Sequence, residues 1–135
     1  MSKLTPAEFL AILERGMPSA HALNLDVRSI EHGSATLVLP VDASHLRPGA
    51  TLAGPTLFML ADLALYAAVM GAIGPVENAV TTSMTLNFLR RAGAEAPLRA
   101  EAKLLKLGRR LAVGDVSLYV GDALVAHATG TYSIP

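Results

Sequence analysis

The chain of 135 residues has no cysteine. Disulfide staples, thiolate metal ligands and thiol nucleophiles are therefore excluded, and a cytosolic location is consistent with that. It is poor in charge: Asp, Glu, Lys and Arg make up 16% of it and cancel to a formal net charge of zero. It therefore has no electrostatic footprint for nucleic acid or for an anionic membrane surface. The four histidines, His21, His32, His45 and His127, fall at no metal-ligand spacing, and no glycine-rich phosphate loop is present. The first ten residues lack the apolar core of a signal peptide. Linkers, internal repeats and low-complexity tracts are also missing, so residues 1–135 read as one domain, long enough to bury a real core. Apolar residues make up 52% of the chain. A domain this small keeps much of its surface wet, so that fraction implies apolar surface buried between subunits.

Against this background one residue stands out. Asp62 lies within the apolar run 55–73, and no other charged side chain occurs between Arg47 and Glu77. If the run is a helix, Phe58, Met59, Tyr66 and Val69 share the face of Asp62. The run is long enough to suggest a membrane span, but a carboxylate near its middle would cost roughly 2.5–3.5 kcal/mol there. No membrane span is therefore expected. An ionised carboxylate among apolar side chains needs compensation. Asp62 is thus either a proton-carrying or nucleophilic group, or a structural acid with a hidden partner.

The remaining elements follow from periodicity and punctuation. Thr5 to Arg15 reads as a short helix with Thr5 as N-cap, Pro6 in its first turn, Glu8 completing a capping box and Gly16 ending it. Leu25–Ile30 and Ser34–Val41 read as strands joined around His32 and Gly33, and residues 42–54 as irregular chain. The apolar helix starts at Pro55 and ends near Gly71–Gly74. Four strands follow: Val80–Leu89, Leu98–Leu107, Leu111–Val120 and Ala123–Ile134, with tight turns at Gly108-Arg109 and Gly121-Asp122. In the first of these, strict alternation sets Val80, Thr82, Met84, Leu86 and Phe88 on one side. Thr81, Ser83, Thr85, Asn87 and Leu89 fall on the other. Strands, one helix apolar nearly all round, then more strands imply an α+β fold with an antiparallel sheet wrapped around one long central helix.

The order and spacing of four short motifs resemble the hotdog fold, and within it the acyl-CoA thioesterases of the phenylacetate-degradation (PaaI-like) type. Ala53-Gly54-Pro55 stands where that family has His-Gly-Gly, and Leu60-Ala61-Asp62 follows at the family spacing. Thr81 to Ala92 resembles the family strand that ends in an aromatic and a basic turn. Lys106-Leu-Gly-Arg-Arg-Leu-Ala112 resembles its Lys-x-Gly-Arg hairpin. The chain departs from the pattern at Ala53, at Pro55 and at Arg47, the last where a polar residue, often Asn, is usual.

The resemblance implies hydrolysis of an acyl- or aryl-CoA thioester, with coenzyme A entering as part of the substrate and no metal or redox cofactor. Gly54 would supply a backbone N–H to the developing oxyanion, at a helix start where free donors and the dipole favour it. Asp62 would be nucleophile or general base, and Thr81 would help place water. The acyl group would lie along the helix, against Pro55, Phe58, Met59 and Tyr66, with Thr82 and Ser83 nearby. Arg90, Arg91 and Arg109, in a cluster with Lys106 and Arg110, would meet coenzyme A phosphates. The resemblance further implies a homodimer, or a dimer of dimers, whose site takes Gly54 from one subunit and Asp62 from the other. Two other readings stay open: a non-catalytic acyl-thioester-binding protein on the same fold, supported by the lost histidine, and a hydratase or dehydratase.

Overall fold

The computed structural model describes residues 1–135. Two helices open the chain, α1 (Pro6–Gly16) and the single turn α2 (Pro18–His21). The capping box forms as read: Thr5 Oγ1 accepts from Glu8 N–H at 3.1 Å and Glu8 Oε1 from Thr5 N–H at 2.8 Å. Strands β1 (Asp26–Glu31) and β2 (Ser34–Leu39) follow, the second ending just before Pro40, two residues short of the expected limit. The stretch expected to be irregular contains a 3-10 turn (Ala43–His45) and a two-residue ladder, β3 (Leu46–Arg47) with β4 (Thr51–Leu52). The long helix α3 spans Gly54–Ile73. After it come β5 (Val80–Phe88), β6 (Leu98–Leu107), β7 (Leu111–Val120) and β8 (Ala123–Ser133).

Six strands form one antiparallel sheet in the order β1-β2-β6-β7-β8-β5. The sheet wraps α3, whose contacts run to β1, β2, β5, β6, β7 and β8. Twelve residues of this helix are buried, among them Leu60, Ala61, Ala64, Leu65, Ala68 and Val69. The one helix long and apolar enough to cross a membrane is thus the core of the domain. Beyond its first turn the more accessible positions, Phe58, Met59, Asp62, Tyr66 and Ile73, form a single stripe with Pro55. Val69, expected on the Asp62 face, is fully buried instead.

Close approach between helix and sheet depends on small inward residues. Ala100, Ala102, Ala112, Ala126 and Ala128 are all buried on the concave face. Leu65 fits over two glycines, Gly114 of β7 and Gly130 of β8, which sit opposite each other. A Cβ added at Gly114 would lie 2.6 Å from Leu65 Cδ1 and 2.7 Å from the Lys103 carbonyl oxygen. Backbone of a neighbouring strand cannot step aside as a side chain can. Gly114→Ala is therefore expected to destabilise the domain by at least about 1–3 kcal/mol, read as a lower denaturant midpoint at unchanged slope.

Strand β5 departs from strict alternation. Its register against β8 runs Thr81 to Tyr132, then Ser83 to Thr131, which makes Thr82 the extra residue of a β-bulge. The bulge brings Thr81 to the same inward face as Met84 and Leu86, whereas unbroken alternation put Thr81 opposite them. Thr82 and Ser83 are exposed, and the Thr82 hydroxyl donates to the Thr131 carbonyl at 3.2 Å.

Candidate active site

Asp62 lies in the middle of α3, half-buried, with one carboxylate oxygen held from two sides. Its Oδ1 accepts from Thr81 Oγ1 at 2.6 Å and from the Tyr132 hydroxyl at 2.6 Å. The Tyr132 hydroxyl also lies 3.1 Å from the Asp62 carbonyl oxygen, so the contact is anchored to backbone as well. Burial, and then the facing Asp62 charge, push the Tyr132 phenol well above the ordinary tyrosine range. Tyr132 is therefore a permanent proton donor to this carboxylate. No donor within the chain reaches Oδ2. The acid thus has hidden partners, and one of its oxygens is free of them.

That carboxylate forms part of the wall of a cavity of about 390 Å³, lined also by Ile12, Leu13, Gly16, Met17, Leu63, Tyr66, Glu77, Ala79, Thr81 and Tyr132. Three of the few aromatics converge beside it. Tyr66 and Tyr132 stack with centroids 6.0 Å apart and planes 13° from parallel, and Phe9 meets Tyr66 edge-on. The Tyr66 hydroxyl donates to the Glu77 carbonyl at 2.9 Å.

Gly54 opens α3 with Ala53 as N-cap. In this first turn Thr56 and Leu57 donate to the Ala53 carbonyl and Pro55 has no N–H, which leaves the Gly54 N–H without an acceptor in the chain. It borders a second cavity of about 380 Å³, with Arg47, Thr51, Leu57, Phe88, Leu89, Arg90 and Arg91 among its lining. The Phe88 ring covers the glycine so closely that an added Cβ would be 3.3 Å from its Cζ. Eight residues separate Gly54 from Asp62, a rise of about 12 Å along the helix. Within one chain the two cannot serve the same carbonyl.

The structure divides the other expected site residues. Tyr66 and Thr81 join Asp62, and Arg90 and Arg91 join Gly54. Phe58, 41% exposed, and Met59 lie on the open stripe of α3 rather than in the Asp62 cavity, as does Pro55. Thr82 and Ser83, displaced by the bulge, line neither cavity. Within one chain the basic residues do not form one cluster. Arg90 and Arg91 follow Phe88, whereas Arg109 and Arg110 sit in the hairpin before Leu111, which pairs with Ser133 opposite Val80. Those two ends of β5 are about 26 Å apart. His45 borders neither cavity. Its Nδ1 accepts from the Asp42 N–H at 3.0 Å and closes the 3-10 turn.

Comparison with known proteins places this arrangement. The thioesterase superfamily profile matches residues 49–128, which include Gly54, Asp62 and Thr81. The chain belongs to that superfamily. Within it the chain is PaaI-like: it is 32% identical over 99 residues to the acyl-coenzyme A thioesterase PaaI of Escherichia coli, covering 73% of this chain and 69% of that protein. A solved structure from Silicibacter sp., assigned as a thioesterase, is 40% identical and superposes with a TM-score of 0.88. That match covers 100% of this chain and 94% of the other. A variant of the phenylacetic acid degradation protein PaaI from Thermus thermophilus is 35% identical, with a TM-score of 0.78 over 87% of this chain and 99% of that one. The expected antiparallel sheet around a central helix is thus the hotdog fold of a PaaI-like thioesterase.

Tyr132 is the residue of this candidate site that the sequence reading passed over. A signal was available: Ala126, Ala128, Gly130 and Tyr132 recur at the strand period, so the ring points the same way as the small residues that face α3. Tyr132→Phe keeps the ring and removes one donor from Asp62 Oδ1. It is expected to lower kcat by about 10-fold with little change in KM, as measured by initial rates, because the hydroxyl touches the acid and not the substrate.

Proposed function

We propose that this thioesterase hydrolyses acyl- or aryl-CoA thioesters to the free acid and coenzyme A. The observation that carries the proposal is the Asp62 carboxylate, pinned through Oδ1 by two hydroxyls and presenting Oδ2 at an apolar cavity. Oδ2 either attacks the thioester carbonyl carbon or removes a proton from a water that does so. Thr81 already donates its proton to Asp62, so it can hold that water only by accepting from it. As the carbon–sulfur bond breaks, coenzyme A leaves as the thiolate and takes up a proton. On the direct route, water then hydrolyses the acyl–Asp62 anhydride. The Gly54 N–H, free at the positive end of α3, stabilises the oxyanion.

One complete site then requires two chains, because the Gly54 and Asp62 of one helix are too far apart. The surface supports a homodimer. Strand β5 is a sheet edge of nine residues whose outer hydrogen-bonding groups have no strand beside them. Val80, Phe88 and Leu89 on or next to it are 55%, 58% and 54% exposed, and Phe58 projects nearby from α3. Antiparallel pairing of two such edges brings the Phe88 end of one chain, with Gly54, to the Val80 end of the other, with Asp62. Light scattering is expected to find a dimer or larger species; a stable folded monomer at micromolar concentration would exclude the shared site.

The test is release of free thiol from a panel of short, medium, long and aromatic acyl-CoAs. Turnover of at least one class is expected. Binding of all of them without thiol release would replace hydrolysis by a binding role. The carrier is tested at the Gly54 cavity: replacing both Arg90 and Arg91 by Ala is expected to raise KM for acyl-CoA about 10-fold or more and to affect the matching pantetheine thioester less.

A further inference from the structure

The start of α3 offers an oxyanion a single backbone donor. The Ala53 N–H donates to the His45 carbonyl at 2.9 Å, and Pro55 has no N–H. Thr56 and Leu57 donate to the Ala53 carbonyl at 3.0 and 3.4 Å. Only the Gly54 N–H is left. Acyl-transfer sites hold a tetrahedral oxyanion with more than one aimed donor. A second donor must therefore come from a side chain in the same cavity. The lining side chains that carry donors are Arg47, Thr51, Arg90 and Arg91, and no carboxylate lines this cavity to draw them away.

We propose that Arg47 is the second donor, its guanidinium set against the thioester carbonyl oxygen beside the Gly54 N–H. The proposal rests on the thioesterase reading above and adds a catalytic residue to it. Arg47 is the one arginine of this cavity whose backbone is fixed by a ladder: Leu46 pairs with Leu52 and Arg47 with Thr51. Its carbonyl accepts from the Ala50 N–H at 3.1 Å, which closes the turn between the two strands. Ala50 there has φ of 59°, in the left-handed region that disfavours a side chain, so its surroundings hold this turn in place. The ladder is also tied outward, through the Leu52 N–H to the Ala92 carbonyl at 2.7 Å. Only Leu52 and Ala53 separate the Thr51 rung from Gly54. Arg47 takes part in none of the chain's ion pairs, so its donors are uncommitted. Arg90 and Arg91 stand in irregular chain beyond β5, with no rung to aim them. Thr51 shares the rung, but a neutral hydroxyl is a weaker donor to an oxyanion than a charged guanidinium. Arg47 keeps its proton throughout. Its charge meets the negative charge that builds on the carbonyl oxygen as the nucleophile adds, and that charge returns to carbon as the thiolate leaves.

The experiment compares wild type, Arg47→Ala and Arg47→Lys, each as the assembled protein, with melting temperature as the check on folding. Initial rates are taken on the acyl-CoA that wild type turns over best and on the matching pantetheine thioester, which has no phosphate. Arg47→Ala is expected to lower kcat about 10²-fold on both substrates alike. Arg47→Lys keeps the charge but not the fork, and is expected to fall about 10-fold on both; it carries the test if Arg47→Ala melts early. A rise in KM confined to acyl-CoA would make Arg47 a phosphate ligand and overturn the proposal, as would unchanged rates. Either result leaves the thioesterase reading standing. A second readout needs no turnover. In Asp62→Asn bound to a thioester isotope-labelled at its carbonyl carbon, the carbonyl infrared band is expected below its frequency in water. Adding Arg47→Ala is expected to move it back toward that frequency, and a band indifferent to Arg47→Ala overturns the proposal even where rates fall. If wild type hydrolyses no thioester, the thioesterase reading fails and takes the role of Arg47 with it.

Discussion

Asp62→Asn is expected to reduce thioester hydrolysis by about 10²-fold or more while leaving the fold and acyl-CoA binding near wild type. The geometry makes this substitution unusually clean. Asn keeps an oxygen where Oδ1 stands, able to accept from both Thr81 and Tyr132. The contacts that tie α3 to β5 and β8 therefore survive. What changes is the other position, where a carboxylate oxygen becomes an amide NH₂ that can neither take a proton from water nor attack a carbonyl. A purely structural acid would behave differently, since its worth would lie in the two hydroxyl contacts that Asn retains. Thiol-release rates and thermal unfolding, measured on the same preparation, separate the outcomes. Near wild-type turnover would refute the mechanism. Turnover and melting temperature both near wild type would make Asp62 a structural residue.

The sequence made legible what local chemistry specifies. Thr5, Pro6 and Glu8 announced α1, and an apolar run bounded by Pro55 and Gly74 announced α3. Asp62 and Gly54 could be singled out because each breaks its surroundings, one by charge and one by its place before a helix. Tertiary pairing was less legible. The bulge at Thr82 leaves no mark in composition, yet it decides that Thr81 faces Asp62 and that Ser83 does not line the site. Tyr132 stands 70 residues from Asp62, and only the pairing of β5 with β8 brings it opposite Thr81. The basic residues divide for a related reason: within one chain, antiparallel strands send Arg91 and Arg109 to opposite ends of the sheet. The distance between Gly54 and Asp62 could be read from the sequence, since helical rise alone separates them by about 12 Å. That separation also makes the proposed division of labour between subunits directly testable.

Co-expression of Asp62→Asn and Gly54→Val chains is expected to restore activity that neither variant has alone. Loss of an oxyanion donor costs about 10²–10³ in turnover, and a valine at Gly54 must also displace the Phe88 ring. Each homodimer is therefore nearly inactive, for opposite reasons. In a mixed dimer one site carries both substitutions, asparagine for the acid and valine for the glycine. The other site combines the native Asp62 of one chain with the native Gly54 of its partner. Random pairing of equal amounts makes half the dimers mixed, each with one intact site, so about a quarter of wild-type activity is expected. The atom nearest a Cβ at Gly54 is a ring carbon of Phe88 at 3.3 Å, whereas at Gly114 the nearest atoms include strand backbone at 2.7 Å, so valine at Gly54 is expected to be tolerated better than a change at Gly114. Size-exclusion profiles of the two variants check that assumption before mixing. If both variants dimerise and the mixed population remains as inactive as its parents, Gly54 and Asp62 do not meet across the interface. A single chain would then have to complete the site with a donor other than Gly54, and the two-subunit mechanism would be abandoned.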